Sequence, residues 1–316
     1  MAISTTSTIN DYILSAAILP SYLAAAFMNT EMQQFLWDFG IIPPGANTAT
    51  LPRFDSLVTI ADDGASVATA YNGTEGSDVT ASTVTTSTVT ATLTEYVCRI
   101  DLTDNITEDS IDGIDLINNV VSIAAQVIMA AKEDDAVARF AGLDNNVGTS
   151  GSDLTLAIAY SAFTGTRRRG FHAPDGMVFF FDPEQWDNIE TAMLALGSST
   201  AVYPNSINNL LGVDRTANNG MGNGHVGFVR GYPVYESQFT DTANTGADVV
   251  GGCIIPASPA NNAAGHTTFG KVGKRPFRIE PQRDATMRAT EMVFSERSGS
   301  VELNGGAGAS ITTDAP

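Results

Sequence analysis

The histidines and cysteines of this chain are too few and too far apart to form a transition-metal or nucleophilic site. The sequence has three histidines, His172, His225 and His266, and two cysteines, Cys98 and Cys253. It contains neither Cys-x-x-Cys nor His-Glu-x-x-His, the spacings that place zinc ligands on one loop or one helix face. Each cysteine lies in an apolar, strand-like run, so we expect buried free thiols and not a disulfide. The sequence predicts no metal site.

Two other motifs match ligand-binding loops only in part. Residues 101–106 begin like a calcium loop, but Ile106 stands where the sharp turn of such a loop needs glycine. Residues 222–227 match G-x-G-x-x-G, yet they lead into a strand-like run and not into a helix whose amino terminus would hold a phosphate. Neither a nucleophile elbow nor a P-loop motif occurs. The sequence therefore predicts no catalytic residue, no cofactor and no enzyme.

Charged residues supply the remaining binding chemistry. The consecutive residues 167–169 are all arginine, a cluster that either binds phosphate or pairs with an acidic neighbouring subunit, and the net charge of −19 favours the second. Residues 271–297 hold seven of the 16 basic residues, whereas residues 1–98 hold nine acids and one base. We therefore expect the acidic part of one copy to dock on the basic part of another. The candidate inter-subunit contacts are Arg53, Glu75, Arg167, Arg168, Arg169, Arg275, Arg278, Arg283 and Arg288.

The composition is that of a folded protein with a polar, weakly charged surface. The 316 residues are 43% hydrophobic and 16% charged, which is enough apolar material for a core, and the length predicts two subdomains. The longest apolar stretch, residues 13–27, is interrupted by Pro20 and is shorter than the ~20 residues that span a bilayer. No basic residue precedes it, as a signal peptide would require. We expect no membrane association and no sequence-specific reading of nucleic acid.

A hairpin and a long helix are the first elements that must position these residues. Residues 83–94 alternate threonine with apolar residues, which is typical of a half-exposed strand, and residues 56–69 offer a partner strand across a turn at 72–78. A helix is predicted over about 110–142, from a cap at Asp109 or Ser110 to a stop at Gly142. Its predicted buried stripe consists of Ile114, Ile117, Val121, Ala124, Ile128 and Ala131.

The second half of the chain mixes helices and strands without regular alternation, which predicts an α+β fold. A helix is predicted over 153–164, and a buried strand at 177–181 precedes a capping box in which Asp182 and Gln185 start a further helix. Later strands are predicted at residues 226–229, 233–237, 249–255, 277–280, 287–295 and 300–303. The glycine-rich residues 303–310 have too little apolar surface to anchor themselves, so we expect neighbouring subunits to hold them.

Five short motifs, in this order along nearly the whole chain, resemble one known family. They are Thr74–Gly76, Ile100–Ile106, Lys132–Asp135, Phe179–Trp186 and Gly231–Ser237. Together they resemble the major capsid proteins of tailed bacteriophages, which have the Hong Kong 97 fold. The resemblance implies an N-terminal arm (1–50), an extended β-hairpin loop (51–99), a peripheral domain with a spine helix at about 110–142 (100–174 and 263–304), an axial domain (175–262) and a C-terminal tail (305–316).

The resemblance also implies a structural function with no catalytic site and no cofactor. The chain would form pentamers and hexamers of an icosahedral head, contacting packaged double-stranded DNA non-specifically. Its other implied partners are a separate scaffolding protein, a portal and a cement or decoration protein, and its implied place is the virion after synthesis in the bacterial cytoplasm. Two alternatives stay open: an encapsulin-like shell protein of a cellular nanocompartment, and a secreted β-rich adhesin or hydrolase. The missing signal peptide and catalytic constellation count against the last.

Two further expectations concern the mature shell. Only about 50 residues precede the hairpin, so we expect no internal scaffold to be cleaved off. Some relatives lock their shells by isopeptide bonds from a lysine of the extended loop. The three lysines here are Lys132, Lys271 and Lys274, and none lies in residues 51–99. Arginine cannot supply the amine because its guanidinium stays protonated. We therefore expect a shell without such bonds.

Overall fold

A computed structural model describes residues 31–42, 48–54, 86–105, 116–169, 173, 175–198, 225–263 and 265–314. Its helices are α1 (Leu116–Val137), α2 (Leu156–Arg168), α3 (Pro183–Ser198) and the short α4 (Pro259–Ala263). Its strands are β1 (Trp37–Ile41), β2 (Thr48–Phe54), β3 (Thr86–Thr92), β4 (Thr94–Thr103), β5 (Asn146–Gly148), β6 (Val178–Phe181), β7 (His225–Val229), β8 (Tyr232–Glu236), β9 (Asp241–Ala243), β10 (Asp248–Ile254), β11 (Phe269–Asp284), β12 (Ala289–Glu302) and β13 (Ala309–Asp314). None of the helices within these residues is both long enough and apolar enough to cross a membrane.

One unit of the fold is a four-stranded sheet with the long helix α1 on one face. The strand order is β1-β11-β12-β4, and β11 and β12 form a long antiparallel pair of 16 and 14 residues. Ala124 and Ile128 of α1 pack against Met292 and Phe294 of β12. Burying these apolar side chains holds the helix on the sheet.

The predicted long helix is confirmed between Leu116 and Val137, and a 3-10 turn continues it to Gly142, the predicted stop. Its predicted cap at Asp109 or Ser110 lies outside the described residues. Of the predicted stripe, Ala124 and Ile128 are buried, and Ile114 lies outside the described residues. The prediction for Ala131 is wrong: it is exposed, because the buried face continues instead through Glu133 and Ala136.

The second unit is a seven-stranded sheet in the order β5-β13-β10-β6-β8-β7, with β9 paired to β10. Strand β6 is buried on both faces, which explains its uniformly apolar sequence VFFF. Phe179 and Phe181 pack with α2 and α3, while Phe180 packs on the other side near Phe140. The strands predicted at 177–181, 226–229, 233–237 and 249–255 are confirmed within one or two residues.

The C-terminal residues belong to this second sheet. β13 pairs antiparallel with β10 and parallel with β5, and Gly305–Ala307 are buried. A Cβ on Gly308 would lie 2.9 Å from the carbonyl oxygen of Cys253, so glycine is needed for this close approach. The prediction that neighbouring subunits must hold this tail is wrong, since the chain's own sheet holds it.

The two units also differ from the predicted boundaries. β5 and α2 were predicted in the spine-helix domain, and β13 in a separate tail, but all three pack with the strands of residues 175–262. The reason is that α2 buries Ala159, Ala162 and Phe163 against this sheet.

Candidate assembly surfaces

The root of the extended hairpin lies on the four-stranded sheet. β2 and β3 pair in a register that places Ala49 opposite Ala91 and Leu51 opposite Val89 on the covered face. The other face carries the exposed cross-strand pair Thr50 and Thr90. This two-residue alternation is the pattern predicted for 83–94. The predicted partner of this strand, 56–69, is wrong for residues 86–92, because these pair with residues 48–54. Residues 56–69 and Glu75 lie outside the described residues.

A glycine on the sheet lets the hairpin root approach closely. A Cβ on Gly299 would lie 2.2 Å from the carbonyl oxygen of Thr92, a distance no side chain permits. Val272 and Val301 beside it pack under Ala49 and Ala91. The hairpin root is therefore held on the sheet by the burial of these apolar side chains and by the close backbone approach that Gly299 of β12 allows. Arg53 stands in β2 opposite Ser87 in the strand register.

Most candidate arginines of residues 271–297 are already paired with acids of their own chain. Arg283 donates two hydrogen bonds to the carboxylate of Asp104, at 2.5 and 2.6 Å, and this pairing lowers the pKa of Asp104. Arg278 pairs with Glu280 at 2.8 Å, and Arg275 pairs with Glu95.

The remaining basic candidate of this segment, Arg288, is exposed in the turn between β11 and β12, with a positive φ of 48°. We expected the cations of this segment to bind another copy. Three of its four candidate arginines instead form ion pairs with acids of their own chain. Sequence reasoning missed these partners because Glu95 and Asp104 are about 180 residues away along the chain.

The arginine triplet lies at the end of α2 and shares its surface with an arginine that the sequence did not single out. The guanidinium of Arg167 lies 5.5 Å from the centroid of the Phe163 ring, and that of Arg230 lies 4.8 Å from the same ring. Arg230 also lies 5.6 Å from the ring of Tyr160. Stacking cations on aromatic faces fixes their position at the surface. Both residues of the Arg230-Gly231 turn have positive φ, as a type I′ hairpin connection requires.

The arginines of this surface differ in the polar partners that they have within their own chain. Arg169 donates to the backbone oxygen of Asp144 at 3.1 Å. Arg167, Arg168 and Arg230 are exposed, and none of them forms a salt bridge with another described residue. We call Arg167, Arg168 and Arg230 with the rings of Tyr160 and Phe163 the arginine patch. Arg167, Arg168 and Arg288 are thus exposed candidates without a salt bridge to a described residue, and Arg230 adds a further cation beside the first two.

An acidic surface lies at the amino-terminal ends of α2 and α3. The predicted capping box is confirmed: the backbone N–H of Asp182 donates to Gln185 Oε1 at 3.2 Å, and the Glu184 N–H donates to Asp182 Oδ1 at 3.0 Å. Burial and then the negative charges of Asp182, Asp314, Asp153 and Asp187 raise the pKa of Glu184.

The same surface includes one acid of β8. Burial and the charges of Asp187 and Asp182 raise the pKa of Glu236. We call Asp153, Asp182, Glu184, Asp187, Glu236 and Asp314 the acidic patch. These carboxylates repel one another, and a cation placed among them would lower their free energy.

A cavity of about 190 Å³ lies between α1, the four-stranded sheet and the segment before β1, and two of the three lysines line it. Lys132 forms a 2.5 Å ion pair with Glu296, and Lys271 donates to the backbone oxygen of Gln33 at 3.0 Å. Tyr96 lines the same cavity, and burial together with Asp135 raises its pKa. These contacts tie α1 and the segment before β1 to the sheet.

The cysteines and histidines form no cluster in the described part of the chain. Both cysteines are free thiols, and burial raises the pKa of Cys253 to about 12. Such a thiol is not ionised at neutral pH and is a poor nucleophile. No group of His, Cys, Asp and Glu among the described residues is arranged to hold a metal ion.

Comparison with known proteins identifies the fold. No family model and no curated protein sequence matches the chain, but solved structures do. The capsid of cyanophage P-SCSP1u aligns over 92% of this chain and 90% of its own, with a TM-score of 0.59 and 12% identity. The capsid of the native GTA particle aligns over 95% and 99%, with a TM-score of 0.59 and 9% identity. The chain has the Hong Kong 97 fold of tailed-phage capsid proteins.

The Hong Kong 97 fold is also present in a protein that is not from a phage capsid. The SrpI encapsulin complex of Synechococcus elongatus PCC 7942 aligns over 92% of this chain and 89% of its own, with a TM-score of 0.56 and 9% identity. The α+β class and the capsid fold predicted from the five motifs are thus confirmed. With identities of 9–12%, the likeness to these structures lies in the arrangement of the elements and not in the sequence.

Proposed function

We propose that this chain is the major capsid protein of a tailed phage, and that many copies assemble into its icosahedral head. The observation that carries the proposal is the Hong Kong 97 fold over 90% or more of the chain in alignments with capsid structures. Pentamers and hexamers of one chain need a heterologous contact whose rotation closes a ring. The arginine patch and the exposed threonine face of the hairpin are surfaces suited to such contacts.

In this proposal the described units take the places that the resemblance implies. The seven-stranded unit is the axial domain at the ring centre, the four-stranded sheet with α1 is the peripheral domain, and the hairpin from β2 and β3 is the extended loop that reaches a neighbour. Its function is structural and not enzymatic. The shell would contain double-stranded DNA held without sequence specificity, with a separate scaffolding protein, a portal and a cement protein as partners, after synthesis in the host cytoplasm.

An encapsulin-like shell is the second candidate, and the alignment with the SrpI complex favours it specifically. Both candidates predict a closed shell of this chain, but they differ in what the shell contains and in whether a portal replaces one of its vertices. A phage head contains DNA and carries a portal at one vertex, whereas a nanocompartment contains protein cargo.

Production of the full chain, followed by size-exclusion chromatography and cryo-electron microscopy, tests shell formation. Closed shells support the proposal, and a chain that stays monomeric with and without scaffolding protein contradicts it. Particles from the native source then separate the two candidates. Nuclease-resistant DNA and a tail support the phage head, whereas enzyme cargo in a shell without a portal supports the encapsulin alternative.

A further inference from the structure

The arginine patch is built as a rigid cationic surface. Arg167 and Arg230 contact the same ring, that of Phe163, from α2 and from the β7–β8 turn. Arg230 occupies a left-handed backbone conformation, with φ of 56°, that a non-glycine residue rarely adopts. Such a conformation persists where the surrounding structure fixes it. The guanidinium groups are thus held in place before any partner arrives, which reduces the entropy lost on binding.

The acidic patch is built at the other end of the same helix. Asp153 lies two residues before Thr155, the residue that caps α2, while Arg167 and Arg168 lie in the last turn of α2. Thirteen helical residues at about 1.5 Å each separate the two ends by roughly 20 Å. The seven-stranded unit therefore has a positive end and a negative end along one helix, with Glu184 and Asp187 of α3 beside the negative one.

We propose that the arginine patch of one copy docks on the acidic patch of the next copy in the ring. This inference rests on the proposed function, because it names the contact that closes the pentamers and hexamers. The two patches are different surfaces of one chain, so the contact is heterologous and repeats head to tail. The guanidinium groups of the neighbour would meet the exposed carboxylates of Asp153 and Asp187.

Another copy of this chain fits the arginine patch better than nucleic acid does. The acidic patch is a second, complementary surface that nucleic acid would leave without a cation. The net charge of −19 also repels a polyanion from most of the surface. Pairing the two patches neutralises both in one contact.

Charge reversal at each end, and then at both ends together, tests the inference. The basic-end variant is Arg167→Glu with Arg168→Glu, and the acidic-end variant is Asp153→Arg with Asp187→Arg. All four side chains are exposed, so the subunit is expected to fold, which circular dichroism checks. Each variant alone is expected to lose at least about tenfold of its assembled material, because like charges then face each other.

The swapped chain carrying all four substitutions restores the complementarity and keeps the net charge at −19. It is expected to recover assembly. The matched control combines the basic-end variant with Asp134→Arg, Ala131→Arg and Ala138→Arg, exposed residues of α1 and the turn after it. It also has a net charge of −19, and it is expected to stay unassembled.

An equal mixture of the two double variants gives a further readout. The basic-end variant has negative side chains in both patches, and the acidic-end variant has arginines in both. Each variant can therefore bind only the other, so the mixture is expected to form rings with an even number of copies. Hexamers are therefore expected without pentamers, and closed shells are not. Electron microscopy of the mixture distinguishes these products.

The outcomes separate this inference from the proposed function. Wild-type shells together with normal shells from both double variants overturn the inference and leave the proposed function intact. Shells of normal shape that retain less DNA in the basic-end variant also overturn it, in favour of a nucleic-acid contact. Rescue by the α1 control as well as by the swapped chain would show a general charge effect and overturn it too. A wild-type chain that never assembles overturns the proposed function itself.

Discussion

At the scale of single residues, Asp248 shows how one carboxylate fixes several loops. Its side chain is fully buried and accepts hydrogen bonds from the backbone N–H of Gly151 at 3.0 Å and from the side-chain amide of Asn244. The bonds from Asn244, Ser150 and Gly151 lower the pKa of Asp248. The ionised form is therefore part of the folded structure.

A pH-dependent stability follows from this carboxylate. Because its folded-state pKa lies below the unfolded value of about 4, its contribution is complete above that pH and is lost as the pH falls through the lower folded value. Asp248→Asn removes the charge without changing the shape, so the variant is expected to melt at a lower temperature than wild type at pH 7. The gap should narrow towards pH 2. Thermal unfolding at both pH values measures it, and an equal gap at both would contradict this account.

At the scale of elements, Gly299 decides how the hairpin sits on the sheet. The Cβ of Gly299→Ala would lie 2.2 Å from the Thr92 carbonyl oxygen, so the backbone of β3 has to move. We expect a loss of about 1–3 kcal/mol in the free energy of unfolding and faster amide exchange in β3. Gly273→Ala is the matched control, since the nearest atoms to its Cβ lie 3.7 Å away. Equal effects of the two substitutions would show that the close approach does not matter.

The last strand, β13, is the second element whose removal can be tested. β13 buries Ala309 and Ile311 and lies between β5 and β10. Gln185 of α3 is bound to it as well, through a 2.7 Å hydrogen bond to Thr313 Oγ1. A chain that ends at Asn304 is therefore expected to be insoluble even as a single subunit. A truncated chain that remains soluble with native circular dichroism would show instead that this segment acts mainly between subunits.

Local signals in the sequence predicted some of these elements and long-range pairing determined the others. The capping box of Asp182 and Gln185 and the alternation in β3 depend on neighbours within a few residues, and both are confirmed. The pairing of Arg275 with Glu95 depends on β12 lying between β11 and β4, where Arg297 pairs with both residues in the strand register, and no local pattern encodes this. Arg230 was missed for the same reason, because Phe163 reaches it only after α2 packs on the sheet.

At the scale of the whole molecule, charge is distributed by unit. The four-stranded sheet pairs many of its cations with its own acids, as Arg99 does with Asp101 and Glu291 at 2.8 and 2.5 Å. In the seven-stranded unit the arginine patch and the acidic patch lie at opposite ends of α2. Paired charges stabilise one copy, whereas separated charges remain available for association between copies. Of the charged residues that the sequence suggested for docking, those of the four-stranded sheet mainly stabilise their own subunit, and those of the arginine patch remain available for association.

The way copies are held together can also be tested for covalent bonds. An amide cross-link to a neighbour needs a free lysine amine, and the hairpin region 51–99 has no lysine at all. Lys132 is paired with Glu296, and Lys271 is bound to the Gln33 backbone, both inside their own subunit. The thiol of Cys253 is buried and protonated at neutral pH.

Assembled shells are therefore expected to be held by burial and hydrogen bonds, including β-addition of the threonine-rich hairpin to a neighbour. Boiling purified shells in detergent without reductant should release one band near 33.1 kDa. Lys132→Arg and Lys271→Arg shells serve as the control, because they should give the same band. A ladder of oligomers from wild type that the lysine variants lack would prove a covalent link, and it would mean that the ion pair of Lys132 or the hydrogen bond of Lys271 opens when neighbouring copies meet.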